Sequence, residues 1–273
     1  MASDVNTILG MTESTFRLSI FAAAFLFFST LEAAIPRRRR IQSRLKRWTT
    51  NASLLVIATM LVRVLALAAP LLAMTAAASL SLELGWGLLH YIELPLVVSV
   101  LLAIAALDLA IWFQHLISHK VPLFWRFHRV HHADRDLDAS SALRFHPIEI
   151  AASSLYKLVL VFLLGPSVIA VILFEVVLNA SAMFNHANLA LPRWLDRILR
   201  TILVTPDMHR VHHSVHSHEH DTNFGFCLSL WDRIFGTYTS EPQDGHIDMK
   251  IGLSDQQDAT TDSLSWSLKY PVK

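Results

Sequence analysis

The chain has 273 residues, of which 53% are apolar and only 16% charged, where an average globular domain carries about 25% charged residues. A net charge of +1 gives no global attraction to nucleic acid, and the single cysteine, Cys227, excludes an intrachain disulfide, a multi-thiolate zinc site and a four-cysteine iron–sulfur cluster. The apolar excess predicts that much of the chain faces lipid, and histidine is over-represented: fifteen in all, thirteen of them between His115 and His220.

Four apolar stretches are candidates to enter a bilayer, which takes roughly 20 apolar residues to cross. They are Leu18–Ile35, Leu54–Leu80 interrupted by Arg63 and Pro70, Leu94–Phe113 with Asp108 inside it, and Leu158–Phe184 containing Gly165-Pro166. The first reads as a membrane helix rather than a signal peptide, because only Arg17 precedes it and the basic run Arg37–Arg40 follows it. That run, with Arg44, Lys46 and Arg47, marks the loop after it as cytoplasmic, whereas Glu83–Glu93 holds no lysine or arginine and suits the opposite side. The third stretch therefore returns to the cytoplasm and delivers His115 there.

Spacing organises the histidines. His115 and His119 stand at i, i+4, on one helical face with Cβ atoms about 5–6 Å apart. FHRVHH places His128, His131 and His132 at i, i+3 and i+4, and MHRVHH repeats the pattern with His209, His212 and His213. Eight imidazoles are too many for one structural zinc, which takes four ligands. Two ions fit better, and imidazole suits iron, zinc, copper and nickel alike, so zinc is also expected as a possible occupant on isolation. Because histidines flank Leu158–Phe184, sharing a site requires that stretch to enter and return. Gly165-Pro166 is the natural break of such a re-entrant hairpin.

Asp108, seven residues before His115, is costly inside a membrane helix and is expected to accept a ring N–H of His115 or a neighbour, with Arg63 as the alternative partner. His186, in FNHAN, reaches the same side and could add a ninth ligand, with Asn179, Asn185 and Asn188 near it; His146, in LRFHP, is a ligand or an outer support. His90 is expected to be interfacial, His246 solvated, and the tract His216, His218 and His220 exposed. Arg126, Arg129, Arg135 and Arg210 form a candidate docking surface for an electron donor.

These boxes, QHLISH, HRVHH and HRVHHS, together with RFHP, FNHAN and NFGFCLSLWDRIFGTY, resemble the fatty acid hydroxylase / sterol desaturase superfamily over roughly Asp108 to Lys273. The resemblance implies an all-α integral-membrane helical bundle under a cytoplasmic, histidine-rich helical cap holding two irons. It implies O2-dependent hydroxylation or desaturation of a lipid such as a fatty acyl chain or sterol, with a ferredoxin, cytochrome or reductase supplying electrons. The implied ligands are His115, His119, His128, His131, His132, His209, His212 and His213, with His186 added, and Asn223, Gly225, Trp231 and Asp232 belong to the signature segment. Some relatives carry a full HxxxH pair at His186, where this chain has Ala190, and His146 could compensate. The expected division is 1–93 for N-terminal membrane helices and basic loop, 94–240 for the catalytic part, and 241–273 for a polar cytoplasmic tail. A histidine-rich metal-ion transporter is the rival, although its ligands would belong near the bilayer midplane rather than beyond the apolar segments.

Overall fold

The computed structural model describes residues 7–8, 10–68 and 73–272. Apart from a two-residue strand pair near the N-terminus, the elements are helices: α1 (Glu13–Ala34), α2 (Arg44–Ala68), α3 (Met74–Glu83), α4 (Leu96–Lys120), α5 (Pro122–His132), α6 (Pro147–Leu164), α7 (Val168–His186), α8 (Arg193–Leu199) and α9 (Pro206–His212), then short turns to the C-terminus. Prolines open α5, α6 and α9, where the missing N–H has no helical acceptor to lose. Thr12, Ser167 and Thr205 cap α1, α7 and α9 through their hydroxyls.

Among the described residues five helices are long and apolar enough to cross a membrane: α1, α2, α4, α6 and α7. This departs from the sequence reading in two places. The stretch Leu54–Leu80 is two helices, since α2 ends at Ala68 and α3 starts at Met74; Pro70 lies outside the described residues. With ten residues α3 spans only about 15 Å. It is apolar because Met74, Ala77 and Ala78 pack on Leu158, Val161 and Val171 of the α6–α7 pair, not because it crosses lipid.

The second correction concerns the hairpin. Leu158–Phe184 does turn at Gly165, but α6 begins eleven residues earlier than the apolar stretch and each arm is long enough to span by itself. Glu149, Ser153, Ser154 and Lys157 had lowered the apolar signal of the first arm. Gly165 closes α6 at φ +61°, its N–H returning to Val161 O, and a Cβ there would lie 2.5 Å from Trp86 O. Gly87 faces it at φ +108°, where a Cβ would meet Gly165 Cα at 2.4 Å, so two glycines let the turn and the α3–α4 loop touch through backbone.

The other ends of these helices meet under a cap made by α5, α9 and the C-terminal third. Glu32 of α1 accepts from Ala139 N (3.0 Å) and Asn188 N (3.2 Å) and pairs with Arg40 and Arg44. Arg47 of α2 is fully buried and bridges Asp134 (2.8 Å) and Asp138 (2.6 Å) in the loop after α5. The tail wraps the cap: Gly252 N donates to His213 O at 3.0 Å, Arg38 donates to Met249 O at 2.6 Å, and Arg129 lies 4.1 Å over the Tyr270 ring.

Candidate metal centre

Nine imidazoles converge where the membrane helices enter the cap. They form two groups, His115, His119, His128, His132 and His212 in one, His131, His186, His209 and His213 in the other, with the ligand-capable atoms of each group within 4.8 Å of one another. Four elements supply them. α4 brings His115 and His119, α5 brings His128, His131 and His132, α7 ends on His186, and α9 with its cap residue brings His209, His212 and His213. In every box the residues at i and i+4 share a group, and in the two HxxHH boxes the i+3 residue joins the other.

The ring orientations are fixed from outside. His115 Nδ1 donates to Phe224 O at 2.8 Å, His212 Nδ1 to Thr222 O at 2.7 Å, His186 Nδ1 to Ala182 O at 2.7 Å and His131 Nδ1 to Arg144 O at 3.3 Å. His128 Nδ1 donates to Glu149 Oε1 at 2.6 Å, and His119 Nδ1 lies 3.5 Å from Asp221 Oδ1. A carbonyl only accepts, so the proton sits on Nδ1 and the Nε2 lone pair turns inward. Inward Nε2 atoms then face each other: 3.1 Å for His115–His128, 3.0 Å for His131–His186 and 3.0 Å for His186–His209. Lone pairs opposed at such distances in a buried pocket call for a cation between them. Nε2 of His132 and of His212 is likewise buried with no partner. Burial first, and neighbouring imidazoles second, hold His131, His132, His209 and His213 well below the ordinary histidine range, which keeps them neutral as metal ligands must be. The residues fit two nitrogen-ligated ions, and the donor set does not name the metal.

The other expected residues take different places. Asp108 does not reach His115; it accepts from Cys227 N (3.2 Å), Leu228 N (3.1 Å) and Trp231 Nε1 (2.8 Å), and it does not pair with Arg63. Asp232 accepts from Phe224 N and Gly225 N, each at 2.8 Å, and from Trp112 Nε1 at 2.9 Å. Asn223 sits at φ +53°, holding Met208 O and Thr239 O through Nδ2. Gly225 leaves room for Asp232, since a Cβ would lie 2.8 Å from Oδ2. The signature segment thus acts on the centre through backbone: it clamps the loop whose Thr222 and Phe224 carbonyls orient His212 and His115.

His146 stands outside both groups. Its Nδ1 accepts from Ile148 N at 3.2 Å and caps α6, while its Nε2 turns to Leu268 O at 3.4 Å. His246 is buried rather than solvated, 3.0 Å from Glu241 Oε2, and Arg210 is buried against Asp207 instead of lying on a docking surface. His216 meets Asp244 at 2.7 Å and His218 is exposed, but His220 departs from the expected exposure by stacking 5.6 Å from Trp125 beside the centre. Asn185 and Asn188 bond backbone of Phe226 and Arg38, while Asn179 bonds only its own helix. Sequence reasoning missed Glu149, although an acid two residues after RFHP at the head of an apolar helix is a readable signal.

Residues 100–237 match the sequence pattern of the family described as fatty acid hydroxylase. Among curated proteins the chain is 31% identical over 144 residues to alkylglycerol monooxygenase of Homo sapiens, covering 51% of this chain and 30% of that one. It is 29% identical over 161 residues to ornithine lipid hydroxylase OlsE of Rhizobium tropici, covering 58% and 46%. It is 28% identical over 139 residues to cholesterol 25-hydroxylase of Homo sapiens, covering 50% of each. The chain thus spans half or less of the length of these relatives. No solved structure matches it.

Proposed function

The chain belongs to the fatty acid hydroxylase family, and from that premise we propose that it is an O2-dependent di-iron oxidoreductase that hydroxylates or desaturates a lipid-like substrate of the bilayer in lipid biosynthesis. The observation that carries this reading is the burial of nine imidazoles in two groups at one end of five apolar helices. His115, His119, His128, His132 and His212 would hold one iron, and His131, His186, His209 and His213 the other. Bound there, the pair would supply O2 reduction and the oxidation of an unactivated C–H bond, with two electrons from an external ferredoxin, cytochrome or reductase.

The chain's own residues do the rest. Carbonyls of Phe224, Thr222, Ala182 and Arg144, with the Glu149 carboxylate, hold the Nδ1 protons and aim Nε2 inward. Phe224 and Phe226 pack on His115 at 5.7 and 5.2 Å between ring centroids and shut out bulk water. Catalysis falls within residues 94–240, on the cytoplasmic face. The basic run supports that side, because Arg37 pairs with Asp207 at 2.9 Å beside the third box. The relatives' names support a lipid substrate, since they act on alkylglycerol, ornithine lipid and cholesterol.

Purified protein in lipid nanodiscs is expected to hold about two irons per chain, and to consume O2 with appearance of a lipid heavier by one oxygen or lighter by two hydrogens when electrons are supplied. His131→Ala with His212→Ala, one from each group, should remove both metals and the O2 uptake. Metal passing across vesicles without O2 consumption would replace this reading with a transporter.

A further inference from the structure

A cavity of about 240 Å³ runs between α1, α2, α4, α6 and α7 to the centre, with His115, His128 and Glu149 at one end and Thr59, Lys157 and Asn179 lining it further into the bundle. It abuts a second cavity of about 330 Å³ lined by Arg17, Arg63 and Glu175, and the two share Phe21, Leu55, Thr59 and Asn179. Lys157 is eight residues past Glu149 on α6, about 12 Å along the axis. It is deep in a helix long enough to span, where an ammonium is expensive and needs a partner.

The acids of the five spanning helices are all engaged elsewhere. Glu13 and Glu175 pair with Arg17, and Glu32 pairs with Arg40 and Arg44. Asp108 is spent on Trp231 and on the backbone of Cys227 and Leu228, and Glu149 on His128. Among the described residues this leaves Lys157 with no carboxylate, half-buried, beside an apolar cleft that leads to the metal ligands.

Resting on the proposed lipid oxidation, we propose that Lys157 recognises an anionic head, carboxylate or phosphate, of an amphiphile that lies end-on in this cleft. The carbon attacked is then remote from the head. The substrate is thus an anionic single-chain lipid oxidised in its chain, not beside its head.

The test is binding of hexadecanoate, hexadecyl phosphate and hexadecanol, identical in chain, to iron-loaded protein in nanodiscs. Wild type should bind one of the anions at least tenfold more tightly than the alcohol, and the tighter anion identifies the head. Lys157→Met, apolar and of similar length, should erase the preference with its irons retained, and Lys157→Arg should restore most of it. An equal affinity for acid and alcohol in wild type, or an intact preference in Lys157→Met, overturns the assignment. Failure of the parent reading is separate: it would show as wild-type protein lacking the pair of irons.

Discussion

Removing the Glu149 carboxylate tests whether the two histidine groups are separate metal sites. Glu149 Oε1 accepts from His128 Nδ1 at 2.6 Å, the two side chains being 12% and 2% exposed. A buried hydrogen bond to a charged group contributes about 1.5–3 kcal/mol. At 1.4 kcal/mol per factor of ten, that is roughly a 10- to 100-fold loss of affinity, the range usual for outer partners of ligating histidines. Glu149→Ala should therefore weaken the His115–His119–His128–His132–His212 site by that much. Glu149→Gln, which keeps a neutral acceptor, should stay near the lower bound. The second group is oriented independently, through Arg144 O and Ala182 O. Competition with a graded series of chelators, followed by metal analysis, should give wild type losing its metals at high chelator strength. Glu149→Ala should show a plateau at one metal per chain. Simultaneous loss of both metals, or no change at all, would refute the division into two sites.

Two further outcomes follow from the same contacts. Asp232→Ala leaves the buried donors Phe224 N, Gly225 N and Trp112 Nε1 without their acceptor, at about 1–3 kcal/mol each; thermal unfolding in detergent should show a loss of several kcal/mol, with Asp232→Asn losing less. His146→Ala should cost about 1 kcal/mol through the lost cap of α6, again read by thermal unfolding, while metal content stays unchanged; a fall in metal stoichiometry would instead make His146 a ligand.

The chemistry of the site was legible where side chains carry it. The boxes declare themselves by spacing, and their placement on both sides of Leu158–Phe184 already required a chain that returns. The membrane helices were less legible wherever polar residues face the interior. Ser153 bonds Gln114 at 3.1 Å and Lys157 lines the cleft, so α6 reads as half apolar although it is a full-length helix. The reverse error befell α3, whose alanines are apolar for packing and not for lipid. Asp108 was correctly singled out as costly but given the wrong partner, because its acceptor role is toward N–H groups of a loop more than a hundred residues away. Backbone carbonyls that orient His115, His186 and His212 leave no mark on the side-chain sequence at all.

Why two copies of one motif build two different sites follows from helical geometry. At 100° per residue, i and i+4 lie about 40° apart, while i+3 lies about 60° to the other side of i. Hence His128 and His132 aim at one group and His131 at the other, and in the second copy His209 and His213 aim at the group that takes His131, while His212 crosses back. The rule also accounts for the HxxxH of α4, whose members both join one group because nothing stands at i+3 between them. Each of the two HxxHH boxes therefore contributes to both groups in opposite proportion, so the groups are stitched together by α5 and α9. Shifting either helix by one residue would turn its three imidazoles through about 100° and withdraw ligands from both groups at once; Asp134, Arg144 and the tail residue Gly252 fasten these short helices against it.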